Sequence, residues 1–500
     1  MTKNRCGSVS LAEIPVLPYA RFHDEVLRRM GEPGFHCANY FGVPSGRGLM
    51  FYFIGLDDAS HEIFITRWES DYYDEESYPS LTARYPAMHC FEREITENHG
   101  IRFPGNPYAK PLRFAHDRAD TSRTINNYPF YTIEGRSVHE VNVGPIHAGI
   151  IEPGAFRFQC NGEEILHLEV VLGYQHRGVE RLMRESASDL RRCLLAEGIA
   201  GDSTVAHTTA YVQTLENLLE FSDRGLDRDR LIALEMERIA MHLADTGALC
   251  TDVGYQLGQV ACEALRTIAI NTTQLWCGNR FGRSLIRPFG THYPLIPELA
   301  VQIIDNVKEI RRRYDEVCRD VFSSPSVLAR FEECGTVTRQ QMFRIGGVGM
   351  AARASGLSRD LRTTHPWGVW DGTVEHAPVV EESGDVQART MVRSREVLQS
   401  ADYITKLLYA FLDEEPSVCE PELDRALPAE MLSVSLVEGW RGEICHVALT
   451  GESGELIHYK IKDPSLHNWY ALSLAVRGLG ISDFPVNNKS FNLSYCGFDL

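Results

Sequence analysis

Paired cysteines are absent from this sequence. Its 13 cysteines are scattered, and the two that lie closest, Cys250 and Cys262, are too far apart for a Cys-x-x-Cys motif. This spacing excludes the usual zinc and cysteine-ligated iron-sulfur sites within the chain. An odd number of irregularly spaced cysteines in a chain of 500 residues also favours reduced thiols in a cytoplasmic protein over a disulfide framework.

Long hydrophobic runs and an excess of basic residues are also missing. Charges interrupt every apolar segment before it reaches the roughly 20 residues that a membrane-spanning helix requires, so we expect no transmembrane segment. The N-terminus has no apolar signal core. The net charge of −18 argues against nucleic-acid binding, which normally uses a basic surface. A hydrophobic content of 44% is typical of a globular protein, and the length allows two or three domains.

One stretch in the first half of the chain combines turn and strand signals. Glycines and a proline within 144–149 predict an exposed loop that carries His147. Apolar runs at 155–160 and 165–172 flank an Asn-Gly pair at 161–162, which is a strong β-hairpin signal. The loop and the hairpin together predict one small antiparallel sheet.

Helical periodicity dominates the chain after this sheet. We expect helices at 189–197, 204–221, 228–250, 262–283 and 295–322. Apolar residues in the third of these recur at helical spacing, so one face of that helix should pack on its neighbours. These patterns predict a helical bundle.

The first 115 residues have a different pattern. Strand-like runs at 49–55 and 61–66, followed by a helical pattern, predict a small α+β domain over 1–115. Residues 116–136 are polar and lack apolar periodicity, as a linker does. The predicted fold class is therefore α+β, with a mainly helical bundle domain and its small antiparallel β-sheet at 137–500.

Several motifs resemble a known family. Residues 144–149, residues 152–158 and His176-Arg177-Gly178-Val179-Glu180 are similar to the large subunit of energy-converting nickel-iron hydrogenases and to the quinone-site subunit of respiratory complex I. Residues 91–107 are similar to the C-terminal signature of the small, 30 kDa-type complex I subunit, which some relatives fuse to the large one. The resemblance implies a fused subunit that works within an oxidoreductase complex.

Metal ligation separates the two branches of this family. In the hydrogenase branch two Cys-x-x-Cys pairs hold the nickel-iron centre, and the resemblance implies that they would fall at Ala200 and Ser203 and at Ser494 and Gly497. None of these positions is a cysteine. Cys496 is one residue out of register, and a single thiolate cannot hold a centre that needs several soft ligands. We therefore expect no metal site and no cofactor bound by the family's usual ligands.

The resemblance also implies roles for individual residues. His147 would protonate a reduced quinone-like acceptor, and Arg177, next to His176, would lie beside an iron-sulfur cluster of a partner subunit. Glu180 corresponds to a hydrogenase glutamate near the metal, and His207 keeps its place in the family motif. The alternatives are a loop histidine that bonds the backbone, and a structural ion pair between Arg177 and Glu180.

Asp202 and Ser203 bring oxygen groups to the former metal pocket. Because an unpaired buried carboxylate is costly, we expect either an arginine partner such as Arg191 or water within the cavity. We predict Asp202 and His147 to be the catalytic residues. The predicted cofactor-binding residues are His176, Arg177, Glu180 and His207.

Three functions are consistent with these motifs. The first is an oxidoreductase subunit of a complex I-related assembly, which passes electrons from an iron-sulfur subunit to a quinone-like or unknown acceptor. The second is a non-catalytic adaptor that couples the iron-sulfur subunit to a membrane ion pump. The third, which the missing thiolates support least, is an active nickel-iron hydrogenase. The expected partners are the iron-sulfur subunit and ion-translocating membrane subunits, with the chain in the cytoplasm on the inner face of the membrane.

Overall fold

The computed structural model describes residues 2–4, 7–46, 48–71, 77–149, 151–370, 372–414 and 419–500. Helices make up 46% of it and strands 17%. An N-terminal sheet region precedes a mainly helical region with small antiparallel sheets, which confirms the predicted α+β class.

Strands and helices are interspersed along the chain. The strands are β1 (Thr2–Asn4), β2 (Gly7–Ser10), β3 (Phe35–Ser45), β4 (Gly48–Asp57), β5 (Glu62–Asp71), β6 (Val138–Val143), β7 (Ala155–Asn161), β8 (Glu164–Val171), β9 (Met431–Glu438), β10 (Glu443–Thr450) and β11 (Leu456–Lys462). The α-helices are α1 (Tyr19–Met30), α2 (His89–His99), α3 (Val179–Glu185), α4 (Asp189–Glu197), α5 (Thr204–Leu218), α6 (Arg224–Asp252), α7 (Gln256–Cys277), α8 (Pro297–Ser323), α9 (Pro325–Phe331), α10 (Arg339–Arg344), α11 (Gly349–Ala354), α12 (Leu361–Thr364), α13 (Val386–Leu412), α14 (Ser465–Ala475), α15 (Phe484–Phe491) and α16 (Tyr495–Asp499). Short 3-10 helices lie at Leu11–Glu13, Pro86–Met88, Ile125–Asn127, Gly368–Trp370 and Ile481–Asp483. Within the described residues the strands form sheets of order β1-β5-β4-β3, β11-β10-β9-β2 and β6-β7-β8.

The first sheet is covered on both faces. Helices α1 and α2 pack on one face, where Trp68 is buried and stacks on Phe51 with ring centroids 4.1 Å apart. The second sheet covers the other face, where Tyr52 shares a core with Leu436 and Val447. Because neither face meets solvent, β4 is a nearly continuous apolar run instead of an alternation of polar and apolar residues.

The second sheet joins distant parts of the chain. Strand β2 pairs antiparallel with β9, so that Gly7 lies opposite Val434 and Ser10 lies opposite Met431. The hydrophobic core also combines Phe91 of α2 with Trp469 of α14. The domain boundaries at 116–136 stay a prediction, and the residues on either side of them pack together.

The hairpin predicted around the Asn-Gly pair is present as β7 and β8. Its turn residue Gly162 has a φ of 62°, the left-handed region that glycine adopts without strain. Strand β6 pairs with β7 and completes the predicted small antiparallel sheet. The predicted loop 144–149 follows β6 directly, so the sheet determines where that loop begins.

The helical bundle is built around α6, which is buried along most of its length. This helix begins before the predicted residue 228 because the Asp223 side chain accepts a hydrogen bond from Leu226 N at 2.9 Å and caps the helix. Helix α7 ends at Cys277, earlier than predicted, because Gly278 adopts a φ of 74° as its C-cap. In the described part of the chain, no helix combines the length and apolarity needed to cross a membrane.

A buried ion pair links the first two sheets. The carboxylate of Glu443 on β10 is only 1% exposed and lies 2.7 Å from His36 Nε2 on β3. The same carboxylate accepts a hydrogen bond from the Lys462 ammonium on β11, which is fully buried. Glu443 therefore neutralises the Lys462 ammonium, which has no access to water, and joins the two stacked sheets through His36.

Replacing Glu443 with alanine is expected to lower the free energy of unfolding by about 3–5 kcal/mol, because the Lys462 ammonium would be buried without its counter-ion. Urea denaturation of the full chain, followed by circular dichroism, measures the change. The control is Glu316→Ala, which removes a carboxylate from an exposed pair with Arg312 and should leave the midpoint unchanged. Equal midpoints for the two variants would contradict the role given to Glu443.

Candidate functional site

Two loops that are far apart in sequence meet at the centre of the candidate site. The first loop joins α4 to α5 and contains Asp202, and the second joins α15 to α16. The guanidinium of Arg441 donates to both Asp202 carboxylate oxygens at 2.7 and 2.6 Å, and its Nε donates to Asn492 O at 2.6 Å. Arg441 is 5% exposed and therefore forms a buried crosslink between the loops.

This contact identifies the partner of Asp202. The sequence indicated an arginine such as Arg191, whereas the arginine is Arg441, which comes from the turn between β9 and β10. The Asp202 side chain is 35% exposed, so the pair is open to solvent on the carboxylate side. Burial alone would lower the pKa of Arg441, but Asp202 raises it, and the guanidinium stays charged.

Arg177 makes a second crosslink, between the first loop and helix α16. Its guanidinium donates to Gly198 O at 2.5 Å and Ile199 O at 2.9 Å, next to the C-terminal end of α4, and to Cys496 O at 3.2 Å. A cation is favourable there because helix carbonyls at a C-terminus carry partial negative charge. Glu180 pairs instead with the Lys460 ammonium at 3.0 Å and accepts Ile461 N at 2.9 Å.

The four positions that hold cysteines in the hydrogenase branch have other tasks here. The Ala200 side chain is buried and has no atom that could bind a metal. Ser203 is the residue that precedes α5. Ser494 caps α16, with its hydroxyl accepting Gly497 N at 2.9 Å. Burial raises the pKa of the Cys496 thiol to about 12, so this thiol is protonated in the metal-free protein at neutral pH. Across the described residues no group of His, Cys, Asp and Glu side chains is arranged to hold a metal ion.

His207 lies in a buried chain of hydrogen bonds. Its Nε2 is 3.0 Å from Asp463 Oδ2, its Nδ1 is 3.1 Å from His446 Nε2, and His446 Nδ1 is 2.8 Å from Tyr459 OH. One arrangement of protons satisfies every link: Tyr459 donates to His446, which donates to His207, which donates to Asp463. Burial holds the pKa of His446 well below its usual value, so that ring is neutral.

The chain of hydrogen bonds ends beside the second loop. Burial raises the pKa of Asp463, but His207, the Arg441 charge and Ser465 together lower it more, so that the pKa lies below its usual value. A methyl group on Gly497 would lie 2.7 Å from Asp463 Oδ2 and 2.8 Å from Ser494 Oγ. The carboxylate therefore occupies space that a side chain at residue 497 would need.

His147 lies on its own loop and not in a cavity. Its Nε2 is 2.8 Å from Gly154 O, to which the N–H donates, and the ring is 5.9 Å from that of Phe156. The side chain is half-buried. This geometry matches the alternative of a loop histidine bonded to the backbone, and it leaves Nδ1 as the acceptor nitrogen of the neutral ring.

A cavity of about 460 Å³ lies between the N-terminal region and the helical region, and we call it the interdomain cavity. Its charged and polar lining residues include Glu94, His99, Arg113, His176, Arg177, Glu180 and Lys460. Phe41, Pro44 and Ile95 add apolar surface. The structure thus brings three of the predicted residues to one cavity, whereas His147, Asp202 and His207 are not among the described residues that line it.

Sequence reasoning missed several residues of the site. Arg441 and Asp463 lie in family motifs but have no local pattern that marks them as partners of Asp202 and His207. His446 sits within β10, where it reads as one polar residue in a strand. Glu237 reads as part of the helical stripe of α6, although its carboxylate accepts Val205 N at 2.7 Å and Ala206 N at 3.3 Å and caps α5.

We expect Gly497→Ala to destabilise the protein by about 1–3 kcal/mol, because the added methyl group overlaps two fixed side chains. Gly201→Ala is the matched control, since nothing lies within 4 Å of its added methyl group. Thermal unfolding of both variants measures the difference. If Gly497→Ala and Gly201→Ala unfold at the same temperature, the space at residue 497 is not closed.

The stability of the chain should also depend on the proton of Glu237. Burial raises its pKa from 4.5 to about 8, so the folded state loses stability as pH rises through that range and the carboxyl ionises. Glu237→Gln keeps an acceptor oxygen and cannot ionise. Gln has one acceptor oxygen where Glu237 uses two, so the variant should be less stable than the wild type near pH 5. Between pH 5 and pH 9 the wild type should lose more stability than the variant in urea denaturation, and an equal loss in the two proteins would contradict this assignment.

The sequence is similar to two known protein families. Models described as "Respiratory-chain NADH dehydrogenase, 30 Kd subunit" and "Respiratory-chain NADH dehydrogenase, 49 Kd subunit" match residues 34–121 and 252–431. Hydrogenase-4 component G of Escherichia coli (strain K12) is 27% identical over 472 residues, which cover 90% of this chain and 80% of that protein. Formate hydrogenlyase subunit 5 of the same strain is 26% identical over 473 residues, covering 90% and 82%. The C/D subunit of NADH-quinone oxidoreductase from Bacteroides thetaiotaomicron is 27% identical over 529 aligned positions, covering 95% and 97%.

The family models and these relatives identify a two-part subunit of the complex I-related and hydrogenase-related oxidoreductase class. Residues 34–121 belong to the family of the 30 kDa subunit of respiratory-chain NADH dehydrogenase and residues 252–431 to that of the 49 kDa subunit, so both parts lie in one polypeptide. The predicted resemblance is therefore confirmed.

Proposed function

We propose that this chain is the electron-transfer subunit of a membrane-associated, complex I-related assembly. It passes electrons from an iron-sulfur cluster on a partner subunit to a quinone-like acceptor, and it does so without a nickel-iron centre. The single observation that carries the proposal is the Arg441–Asp202 pair, which occupies the place where the two ligand-bearing loops meet. The two charges of this pair neutralise each other, and the pair crosslinks the loops without a metal ion.

The residues of this region do not fit a nickel-iron group. Ala200 and Gly497 have no ligand atom, Ser203 and Ser494 carry only hydroxyls, and the Cys496 thiol is protonated at neutral pH. Such a centre requires several soft thiolate ligands. No step of the proposed reaction therefore runs through a metal bound to this chain.

The interdomain cavity is the proposed acceptor site. Its volume of about 460 Å³ lies in the range of small-molecule sites, and it combines apolar walls with a few fixed polar groups. His176 and Arg177 would face the polar head of a quinone, which supplies two-electron, two-proton redox chemistry when bound. Lys460, held by Glu94 and Glu180, keeps the charges of the cavity balanced.

His147, Asp202 and His207 act at a distance from that cavity in this proposal. Nε2 of His147 is bonded to Gly154 O, and in this proposal the ring relays protons from solvent toward the cavity. Asp202 positions Arg441 and so fixes the loop that leads into α5. His207 donates a hydrogen bond to Asp463 and so keeps that carboxylate in its orientation.

The relatives support the proposal that the chain works within an assembly, because they are subunits and components of hydrogenases and NADH-quinone oxidoreductases. The proposed partners are an iron-sulfur subunit beside Arg177 and ion-translocating membrane subunits. The chain would lie on the cytoplasmic face of the membrane as a peripheral subunit.

The second candidate is a non-catalytic adaptor between the iron-sulfur subunit and the membrane arm. It is favoured by the structural hydrogen bonds of the predicted residues, since His147 bonds Gly154 and Arg177 bonds three backbone carbonyls. An adaptor needs the loops to be rigid and does not need the interdomain cavity to be open.

Filling the interdomain cavity separates the two candidates. Asn98→Trp places a large side chain at the cavity wall on α2. In the purified complex, with reduced methyl viologen as donor and a short-chain ubiquinone analogue as acceptor, turnover should fall by about tenfold or more because the acceptor is excluded. Arg319→Trp on the exposed side of α8 is the control and should leave turnover unchanged.

Two further measurements complete this test. His147→Ala should lower the same turnover, but by less than the roughly 10²-fold effect of a general acid that contacts the acceptor, because His147 lies outside the cavity; His139→Ala on β6 should leave turnover unchanged. Unchanged turnover in both Asn98→Trp and His147→Ala would establish the adaptor in place of the enzyme. Stoichiometric nickel together with hydrogen uptake in the purified complex would overturn the proposal altogether.

A further inference from the structure

A second cavity also borders α2, and Glu97 lines both this cavity and the interdomain cavity. It has a volume of about 530 Å³ and is bounded by α2, the segment that follows it and the predicted linker. Its cationic lining residues are Arg93, Arg102, Lys110, Arg118 and Arg123, and its acidic ones are Glu97 and Asp120. We call it the cationic pocket. An excess of positive charge is unusual in a chain whose net charge is −18.

The two carboxylates offset only part of this charge, since five cationic side chains face two acidic ones. Glu97 accepts the backbone N–H groups of Leu112 at 2.7 Å, Arg113 at 3.1 Å and Ala115 at 3.2 Å. Asp120 accepts the N–H and the hydroxyl of Ser122, at 2.9 and 2.5 Å. Both acids therefore serve to shape the backbone around the pocket.

Backbone carbonyls hold two of the guanidinium groups. Arg93 donates to Lys110 O at 2.8 Å and to Pro111 O at 2.5 Å. Arg118 donates to Ala115 O and to Arg123 O, each at 2.8 Å. Hydrogen bonds to carbonyls fix the direction of a guanidinium without cancelling its charge. The pocket thus contains preorganised cations, which lowers the cost of binding an anion.

Of the three remaining cationic side chains, one forms an ion pair with a described residue and two do not. Lys110 is bonded to the Glu169 carboxylate. Arg102 and Arg123 are exposed, and neither side chain forms a hydrogen bond or ion pair with any residue that the structure describes. They are available to a ligand at the mouth of the pocket.

The other walls of the pocket are apolar and flat. They are formed by Phe103, Pro104, Ala109, Pro111 and Pro129. A ligand that matches this lining has an anionic end for the arginines and a planar apolar part for the prolines and the phenylalanine. The volume suits a small molecule and is too small for a folded segment of another protein.

We propose that the cationic pocket binds a phosphate ester of about mononucleotide size. Several guanidinium groups around one space favour phosphate, because each presents paired N–H donors that match its oxygens. The site is separate from the proposed electron-transfer site and does not depend on that function.

Calorimetric titration of the full chain with ADP, and separately with pyrophosphate, tests this proposal. The wild type should bind both, ADP more tightly because of the apolar wall, and binding should weaken as salt is raised. Arg102→Gln/Arg123→Gln should weaken binding by about tenfold or more, since it removes two charge-assisted contacts. The control Arg312→Gln/Arg319→Gln removes the same charge from α8 and should bind as the wild type does.

Three outcomes would overturn the proposal. One is the absence of ADP and pyrophosphate binding to the wild type, and another is equal binding by the two double variants. The third is binding to vesicles of phosphatidylglycerol that the Arg102→Gln/Arg123→Gln variant lacks, without any binding of ADP, because the phosphate would then belong to a lipid surface. Both substituted arginines are exposed, so an unchanged melting temperature confirms that the variants are folded.

Discussion

The guanidinium of Arg441 stabilises the centre of this protein. It is planar, permanently charged and nearly inaccessible to water, and it joins the loop before α5 to the loop before α16 through Asp202 and Asn492. The guanidinium side of its pair with Asp202 is buried and the carboxylate side is partly exposed, and Arg177 adds further bonds to backbone carbonyls. The positions near it are then free to be alanine, serine and glycine.

Much of the fold was predictable because its signals are local. The Asn-Gly pair at 161–162 specifies a tight turn whatever the rest of the chain does, and the helix Asp189–Glu197 matches the predicted bounds. Helix ends were less well predicted, since α6 begins at a cap formed by Asp223 and α7 ends at Gly278. Both residues are recognisable capping signals that periodicity alone does not weigh.

The candidate site was only partly predictable, because its contacts are not local. Asp202 and Arg441 are 239 positions apart, and no pattern in one sequence indicates which arginine will reach a given carboxylate. His176, Arg177 and Glu180 line the same cavity because they lie within five residues of one another, at the start of α3 and just before it. His147 was expected to face an acceptor, but the direction of a loop side chain depends on a backbone path that composition does not reveal.

The pairing of β2 with β9 has a consequence for biosynthesis. Strand β2 is made long before β9, its only neighbour within the described second sheet. Its backbone donors and acceptors therefore stay unpaired in that sheet until β9 has been made. During that interval this strand edge is open to pairing with other chains, which favours aggregation of the nascent protein.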